Sequence, residues 1–176
     1  MLSPELETER LILRRYKIED IDFEYKIITD KRLAKYISFP RKSFDEELEC
    51  LKSWINDADS SKYEKWVITL KESSIPIGNI SVNTISKKNN YCNVGYVISY
   101  DYWGNGYASE ALERVSDYLL LSGYYLVECS CNELNVQSKK VMLKAGFKKD
   151  GYIACRRLND NGTYSGVEYY SKRKNY

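Results

Sequence analysis

The feature that most restricts this 176-residue chain is a double change of period between residues 94 and 131. Val94–Ser99 reads as a short strand, and residues 107–122 then turn to helical spacing. There Ala108, Ala111, Leu112, Val115, Tyr118 and Leu119 share one face, and YYLVECSC returns to a strand. A strand–helix–strand crossover of this kind makes its two strands parallel in one sheet. Gly104 and Gly106 stand at the first junction, in YWGNGYASEAL, and Gly123 ends the helix. Glycine punctuates ordinary strand–helix turns. It also lets successive N–H groups curl inward at a helix N-terminus, where unpaired donors and roughly half a positive charge favour an anion.

The rest of the chain supplies the partners of that crossover. ERLILRR opens as a strand with Leu11 and Leu13 on one face, and IEDIDFEYKIITD follows as a helix with Ile21, Tyr25 and Ile28 at helical spacing. SFDEELECLKSWIND predicts a second helix, with Ser43 and Glu46 as a capping box and Leu48, Leu51 and Ile55 inward. Trp66–Leu70, the Ile80, Val82, Thr84 alternation and Val94–Ser99 are joined by the short turns SSIP and KKNN, which makes an antiparallel meander. Residues 135–145 form a short helix stopped by Gly146, and strands around 147–157 and 164–171 close the chain. Glu110 and Arg114 pair at i,i+4 on the outer face of the glycine helix. The expected fold is α+β, one domain over residues 1–176, with a mixed, mostly antiparallel sheet flanked by helices.

Composition excludes several partners. A net charge of +2 gives no field that would draw nucleic acid or a membrane surface, and Lys172-Arg173-Lys174 reads as a solvated strand end. No stretch reaches the ~20 apolar residues of a membrane span, and MLSPELETERL is too acidic for a signal peptide. A cytoplasmic protein is expected. Five cysteines, an odd number, make no disulfide framework, and Cys129 and Cys131 read as packed thiols. With no histidine anywhere, a zinc site is not expected. Acid–base chemistry falls to carboxylates, Tyr, Ser, Lys or water.

Two anion-binding readings compete for the glycine loop. A dinucleotide fold would use Gly104, Gly106, Ser109 in the third slot and Glu128 in the next strand. That unit should open a parallel run, whereas this one follows three antiparallel strands. The other reading recruits Asn135, Ser138 and Gly146-Phe147. LETERLILRRYKIEDI, IGNISV, VGYVISYDYWGNGYASEAL and NELNVQSKKVMLKAGFKKDG together resemble the GNAT superfamily of acetyl-CoA-dependent N-acetyltransferases, in its RimJ/RimL-type branch. The resemblance spans essentially the whole chain, in order.

The resemblance implies a sheet whose parallel strands splay to form an acetyl-CoA cleft. The family's pyrophosphate loop falls on Trp103, Gly104, Asn105, Gly106, Tyr107 and Ala108, with Trp103 where the wider superfamily has Gln or Arg. The pantetheine arm would pair like an extra strand with Val97, Ile98 and Ser99. Asn135 matches the asparagine that bonds that arm, and Lys139 or Lys140 would reach the adenosine phosphate. The family often places a tyrosine seven residues after the asparagine, and here that position is Met142, which has no proton to give. Ser138 is then expected to donate to the departing sulfur, and the Val97/Ile98 backbone to hold the oxyanion. Equally, Asn135 and Ser138 suit a helix start on their own.

Glu128 borders the cleft by resemblance and is the candidate base, with a structural ion pair the competing reading. The acceptor is an amine: a ribosomal or other protein N-terminus, a polyamine or an aminoglycoside. Asp45, Glu46, Glu47, Glu49, Asp57 and Asp59 stand against Lys52 on the second helix and would attract a cation, or simply face solvent. Tyr36, Phe39 and Trp54 line a pocket or pack in the core. No metal, nucleic acid or membrane is expected, and the chain is a monomer or homodimer. A CoA-sensing module without turnover is the alternative from a different class.

Overall fold

The computed structural model describes residues 4–34, 36–37, 42–57, 64–159 and 162–174, without the side chain at 57. Phe39 and Asp59 lie outside the described residues. The elements run β1 (Leu6–Glu7), β2 (Leu11–Arg14), α1 (Ile21–Thr29), α2 (Lys31–Ala34), α3 (Phe44–Asp57), β3 (Lys65–Leu70), β4 (Pro76–Ser86), β5 (Tyr91–Ile98), α4 (Tyr107–Leu121), β6 (Leu126–Asn132), α5 (Val136–Lys144), β7 (Lys148–Leu158) and β8 (Tyr164–Arg173). The strands form one eight-stranded sheet in the order β1-β2-β3-β4-β5-β6-β8-β7, in which β5 and β6 alone are parallel. This is the mixed α+β sheet expected from the crossover, with a two-residue strand added at its front edge.

Helices cover both faces. Leu11, Leu13, Trp66, Ile68, Ile80 and Val82 bury one face against α4, through Ala111, Leu112, Val115 and Leu119, and against Met142 of α5. On the other face Tyr16 and Val67 meet Leu51 of α3, and Val97 meets Ile27 and Leu33. The expected capping box is present: Ser43 N–H donates to the Glu46 carboxylate at 2.7 Å, and Glu46 N–H donates to Ser43 Oγ at 3.3 Å.

The phase of α1 and α3 departs from the apolar pattern. The fully buried residues of α1 are Glu24 and Ile27, while Ile21, Tyr25 and Ile28 are half-buried. Glu24 tolerates this place because Tyr16 Oη and Asn79 Nδ2 donate to its carboxylate, the latter at 2.9 Å. Burial raises its pKa. Likewise Glu47 does not face solvent. It is 1% exposed and bound to Lys42 Nζ at 2.8 Å. The pairing of Glu110 with Arg114 is also corrected. Glu110 receives Thr8 Oγ1 at 2.6 Å and Arg10 at 2.6 Å, while Arg114 donates to the Glu7 carbonyl. The edge strands fold back over α4 and bring Arg10 and Thr8 to the Glu110 carboxylate in place of the i+4 neighbour.

β4 and β5 approach closely at Gly78, where a Cβ would lie 2.4 Å from the Val97 carbonyl oxygen. That oxygen is backbone and can move only with its strand. Gly78→Ala is therefore expected to destabilise the protein by about 1–3 kcal/mol, read as a lower urea midpoint.

Candidate active site

β5 and β6 begin as an ordinary parallel pair, with Tyr91 beside Leu126, Cys92 beside Val127 and Asn93 beside Glu128. Beyond that rung they part. At the fork the Cys129 thiol donates to the Val94 carbonyl at 3.0 Å, where a ladder N–H would otherwise serve. Burial pushes this thiol up to about 12, so it stays a protonated donor. Past the fork Gly95–Ile98 and Cys129–Asn132 form two walls of a cleft of about 720 Å³. A cleft of this size suits a cofactor-sized ligand.

The glycine loop closes one end. Gly104 and Gly106 have φ of +81° and +82°, a left-handed backbone that favours glycine. Gly106 is the N-cap of α4, and among the described residues no side-chain cap hydrogen bond closes that helix. The N–H groups of its first turn are thus left for a ligand. Asn105 Nδ2 donates to the carbonyls of Tyr102 and Trp103, and Trp103 Nε1 donates to Ile98 O at 2.8 Å, which ties the loop to the end of β5. Arg10 stacks on Tyr107 at 4.6 Å and donates to Asn105 O. A Cβ on Gly106 would sit 3.3 Å from Lys144 Nζ and 3.6 Å from Arg10 Nη2. Two cations therefore flank the bare helix end.

α5 supplies the third wall through Gln137, Lys140, Val141 and Lys144, an i, i+3, i+4, i+7 stripe. Lys139 falls between these positions and turns away, its Nζ 2.8 Å from Glu168. Asn135 caps α5, its Oδ1 accepting from Ser138 N–H at 3.0 Å. Both residues nevertheless line the cleft, and the Asn135 Nδ2 protons take no part in the cap. Ser138 Oγ lies 2.8 Å from the Tyr96 hydroxyl. Burial raises Tyr96 well above its ordinary value and so keeps the phenol protonated. Burial also raises the Cys131 thiol, against a hydrogen bond with Ser138.

Of the residues expected at the site, Val97, Ile98, Trp103, Gly104, Asn105, Gly106, Tyr107, Ala108, Asn135, Ser138 and also Tyr36 come together around the cleft. Ser99, Lys139 and Glu128 are not in its lining. Ser99 lies just beyond β5, its N–H donating to Ile77 O. Glu128 lies at the last paired rung, where Asn93 Nδ2 donates to it at 3.0 Å. Trp54 packs on Tyr16 and under Lys65 Nζ, away from the cleft. Sequence reasoning missed Tyr96, Lys144, Arg10 and Arg157. The α5 stripe carried a readable signal for Lys144, whereas Arg10 and Arg157 depend on long-range pairing.

A fork between parallel strands, facing an uncapped helix behind a double-glycine loop, defines a site for a long anionic ligand that lies along a strand edge. The acetyltransferase (GNAT) domain family matches residues 10–148. The chain is 29% identical over 150 residues to the uncharacterized N-acetyltransferase p20 of Bacillus licheniformis, covering 84% of each chain. It is 31% identical over 114 residues to the ribosomal-protein-serine acetyltransferase of Escherichia coli strain K12, covering 62% of this chain and 61% of the other. In structure it resembles RimL, the ribosomal L7/L12 alpha-N-protein acetyltransferase in complex with coenzyme A, with TM-score 0.85, 18% identity and coverage of 97% and 98%. The chain belongs to the GNAT acetyltransferase family, as an acetyl-CoA-dependent N-acetyltransferase. Among the described residues no helix is long and apolar enough to cross a membrane.

Two outcomes are expected. Lys144→Glu should raise the KM for acetyl-CoA about tenfold, the scale of one charge-assisted contact, while leaving the acceptor KM in place in steady-state kinetics. Glu168 takes Lys139 and Lys149 and the Tyr170 hydroxyl, which hold its carboxyl at about 2 against an ordinary 4.5. Because the folded value is depressed, this cluster stabilises the fold fully above about pH 4.5 and loses that contribution as pH falls towards 2. Urea midpoints of wild type and Glu168→Gln should differ at pH 7 and converge over that window.

Proposed function

We propose that the cleft transfers an acetyl group directly from acetyl-CoA to a primary α-amine. The observation that carries this reading is the uncapped N-terminus of α4, facing a strand edge that has lost its ladder partner. Bound acetyl-CoA supplies the reactive thioester. The amides of residues 104–108 and the nearby Lys144 and Arg10 hold its phosphates, and the freed edge at Val97 and Ile98 and the Asn135 amide hold the pantetheine arm. Lys140, and Lys139 if it leaves Glu168, serve the adenosine phosphate.

The acceptor nitrogen attacks the carbonyl carbon, and a backbone N–H at Val97 or Ile98 stabilises the oxyanion, an interaction worth about 2.7–4 kcal/mol. As the carbon–sulfur bond breaks, Ser138 gives its proton to the departing sulfur. Tyr96, kept protonated by burial, has its hydroxyl within reach of both the Ser138 carbonyl and Ser138 Oγ; when it donates to Oγ, the serine proton is free to point into the cleft. The nitrogen releases its extra proton to water, and water returns one to Ser138 Oγ, so that the products are the amide and the free thiol. The described cleft lining contains no carboxylate, and Glu128 acts at most through a water chain past the fork. This favours an α-amine, with an ordinary pKa of about 7.7–8.0, over a lysine or polyamine amine near 10.4. The ribosomal-protein acetyltransferases among its relatives suit such an acceptor, a protein N-terminus. Five free thiols suit a reducing, cytoplasmic setting.

The test is release of free thiol from acetyl-CoA by the purified protein with peptides, polyamines and aminoglycosides. Turnover with α-amines supports transfer, and binding of acetyl-CoA without turnover on any acceptor would identify a sensing module instead. Acetyl-CoA, not NAD, should raise the melting temperature. Ser138→Ala should lower kcat about 100-fold or more, and an unchanged kcat removes Ser138 from the mechanism. Tyr96→Phe should lower kcat in wild type and have little further effect in the Ser138→Ala background, as expected for groups acting through one bond.

A further inference from the structure

The cleft lining draws on elements from both faces of the sheet, and its two sides carry different side chains. Lys140 and Lys144 stand on the face covered by α4 and α5, beside the glycine loop. Arg157 enters from β7 on the face covered by α1 and α2, where its Nη1 donates to the Tyr36 carbonyl at 3.1 Å. That contact crosses the open ends of β5 and β6: the Tyr36 ring packs on Trp103 at 5.5 Å, and Ser165, paired with Arg157 in the β7–β8 ladder, receives Asn132 Nδ2. A carbonyl partner fixes the guanidinium without neutralising it. Among the described residues Arg157 has no carboxylate partner, and Nε and Nη2 remain for a bidentate one.

Carboxylates around the cleft are already committed. Glu168 is held by Lys139 and Lys149, Glu133 by the Gly166 N–H and the Tyr152 hydroxyl, and Asp101 by Arg32. The acceptor-side opening therefore offers one half-buried guanidinium among aromatic and apolar walls, with no described carboxylate to receive a second positive charge.

We propose that Arg157 is an acceptor-side anion receptor that selects an amine carrying a carboxylate close to the reacting nitrogen. This rests on the reading of the cleft as an acetyl-transfer site. The shared chemistry is an α-amine with a nearby carboxylate, which a free amino acid supplies through its α-carboxylate and a peptide through an acidic residue next to its N-terminus. Polycations are selected against.

Acetylation at saturating acetyl-CoA is compared for free serine and glutamate, for peptides beginning Ser-Asp and Ser-Lys, and for spermidine. Binding of the same compounds to the CoA-loaded protein is measured by calorimetry in parallel. The carboxylate-bearing acceptors should lead by at least about tenfold in kcat/KM, the scale of a charge-assisted pair. Arg157→Gln should remove that lead through the acceptor KM, with the KM for acetyl-CoA unchanged. Arg157→Lys should keep the acidic preference, and Arg157→Glu should shift it to the Ser-Lys peptide. Serine and glutamate leading over the peptides identifies a free amino acid, and the reverse identifies an acidic N-terminus. Equal rates on the acidic and basic peptides, or a preference for spermidine that survives Arg157→Gln, would overturn the proposal. Charge-dependent binding through Arg157 without turnover would sink the acetyl-transfer reading and leave the receptor standing. Binding indifferent to both charge and Arg157 would sink the receptor alone.

Discussion

The whole site hangs on the parting of β5 from β6. Parallel strands normally continue their ladder until a turn ends them, because each lost rung leaves polar backbone groups without partners. Here the ladder stops at Asn93 and Glu128, and the next carbonyl, that of Val94, is taken by the Cys129 thiol. A thiol is a weak donor on a short side chain. It satisfies the carbonyl while adding no further strand pairing. Below it, the Asn93 amide bonded to Glu128 holds the last rung closed. The fork therefore has a side-chain fastening on each rung at which the strands separate, and the gap above it exists without breaking the sheet.

Helix placement then follows from the crossover. α4 leaves the end of β5 through Gly104 and Gly106 and packs its Ala111, Leu112, Val115, Leu119 stripe on the sheet. This aims its uncapped N-terminus at the gap. α5 packs Met142 into the same core and so presents the opposite stripe, Gln137 to Lys144, to the cleft. The Met142 that breaks the family's tyrosine pattern is thus a core residue, fully buried. Tyr96 brings a hydroxyl from the strand instead, to within 2.8 Å of Ser138.

Much of this was legible in the sequence, and the boundary has a physical cause. Period, glycine punctuation and capping chemistry are local, so the strands, the crossover, the capping box at Ser43 and the loop at Trp103–Ala108 could be read directly. Phase errors arose where a polar group was buried with a distant partner. Glu24 turns inward because Tyr16 and Asn79 await it, and Glu47 because Lys42 does. Apolar spacing contains no information about such partners. The Lys139 expectation failed to reach the cleft for a related reason: one residue along a helix is 100° of rotation, and only the burial of Met142 fixes which lysine faces the gap. Arg157 was beyond reach altogether, since its approach to Tyr36 depends on where a hairpin from the far edge of the sheet ends.

The distribution of charge gives the proposed chemistry its internal consistency. A described cleft lining with cations and no carboxylate disfavours an ammonium ion, and removal from water disfavours it further; both effects lower an amine's pKa. An acceptor whose only positive charge is its own α-amine meets this opposition at the nitrogen that must become neutral to attack. Its carboxylate, placed on Arg157, offsets the unfavourable transfer of the whole molecule into the cleft. A polycation would bring further ammonium groups that the lining can neither pair nor deprotonate. In the proposed reaction the electrostatic arrangement that selects the acceptor also favours the neutral nucleophile, and that reaction needs neither a histidine nor a dedicated carboxylate base.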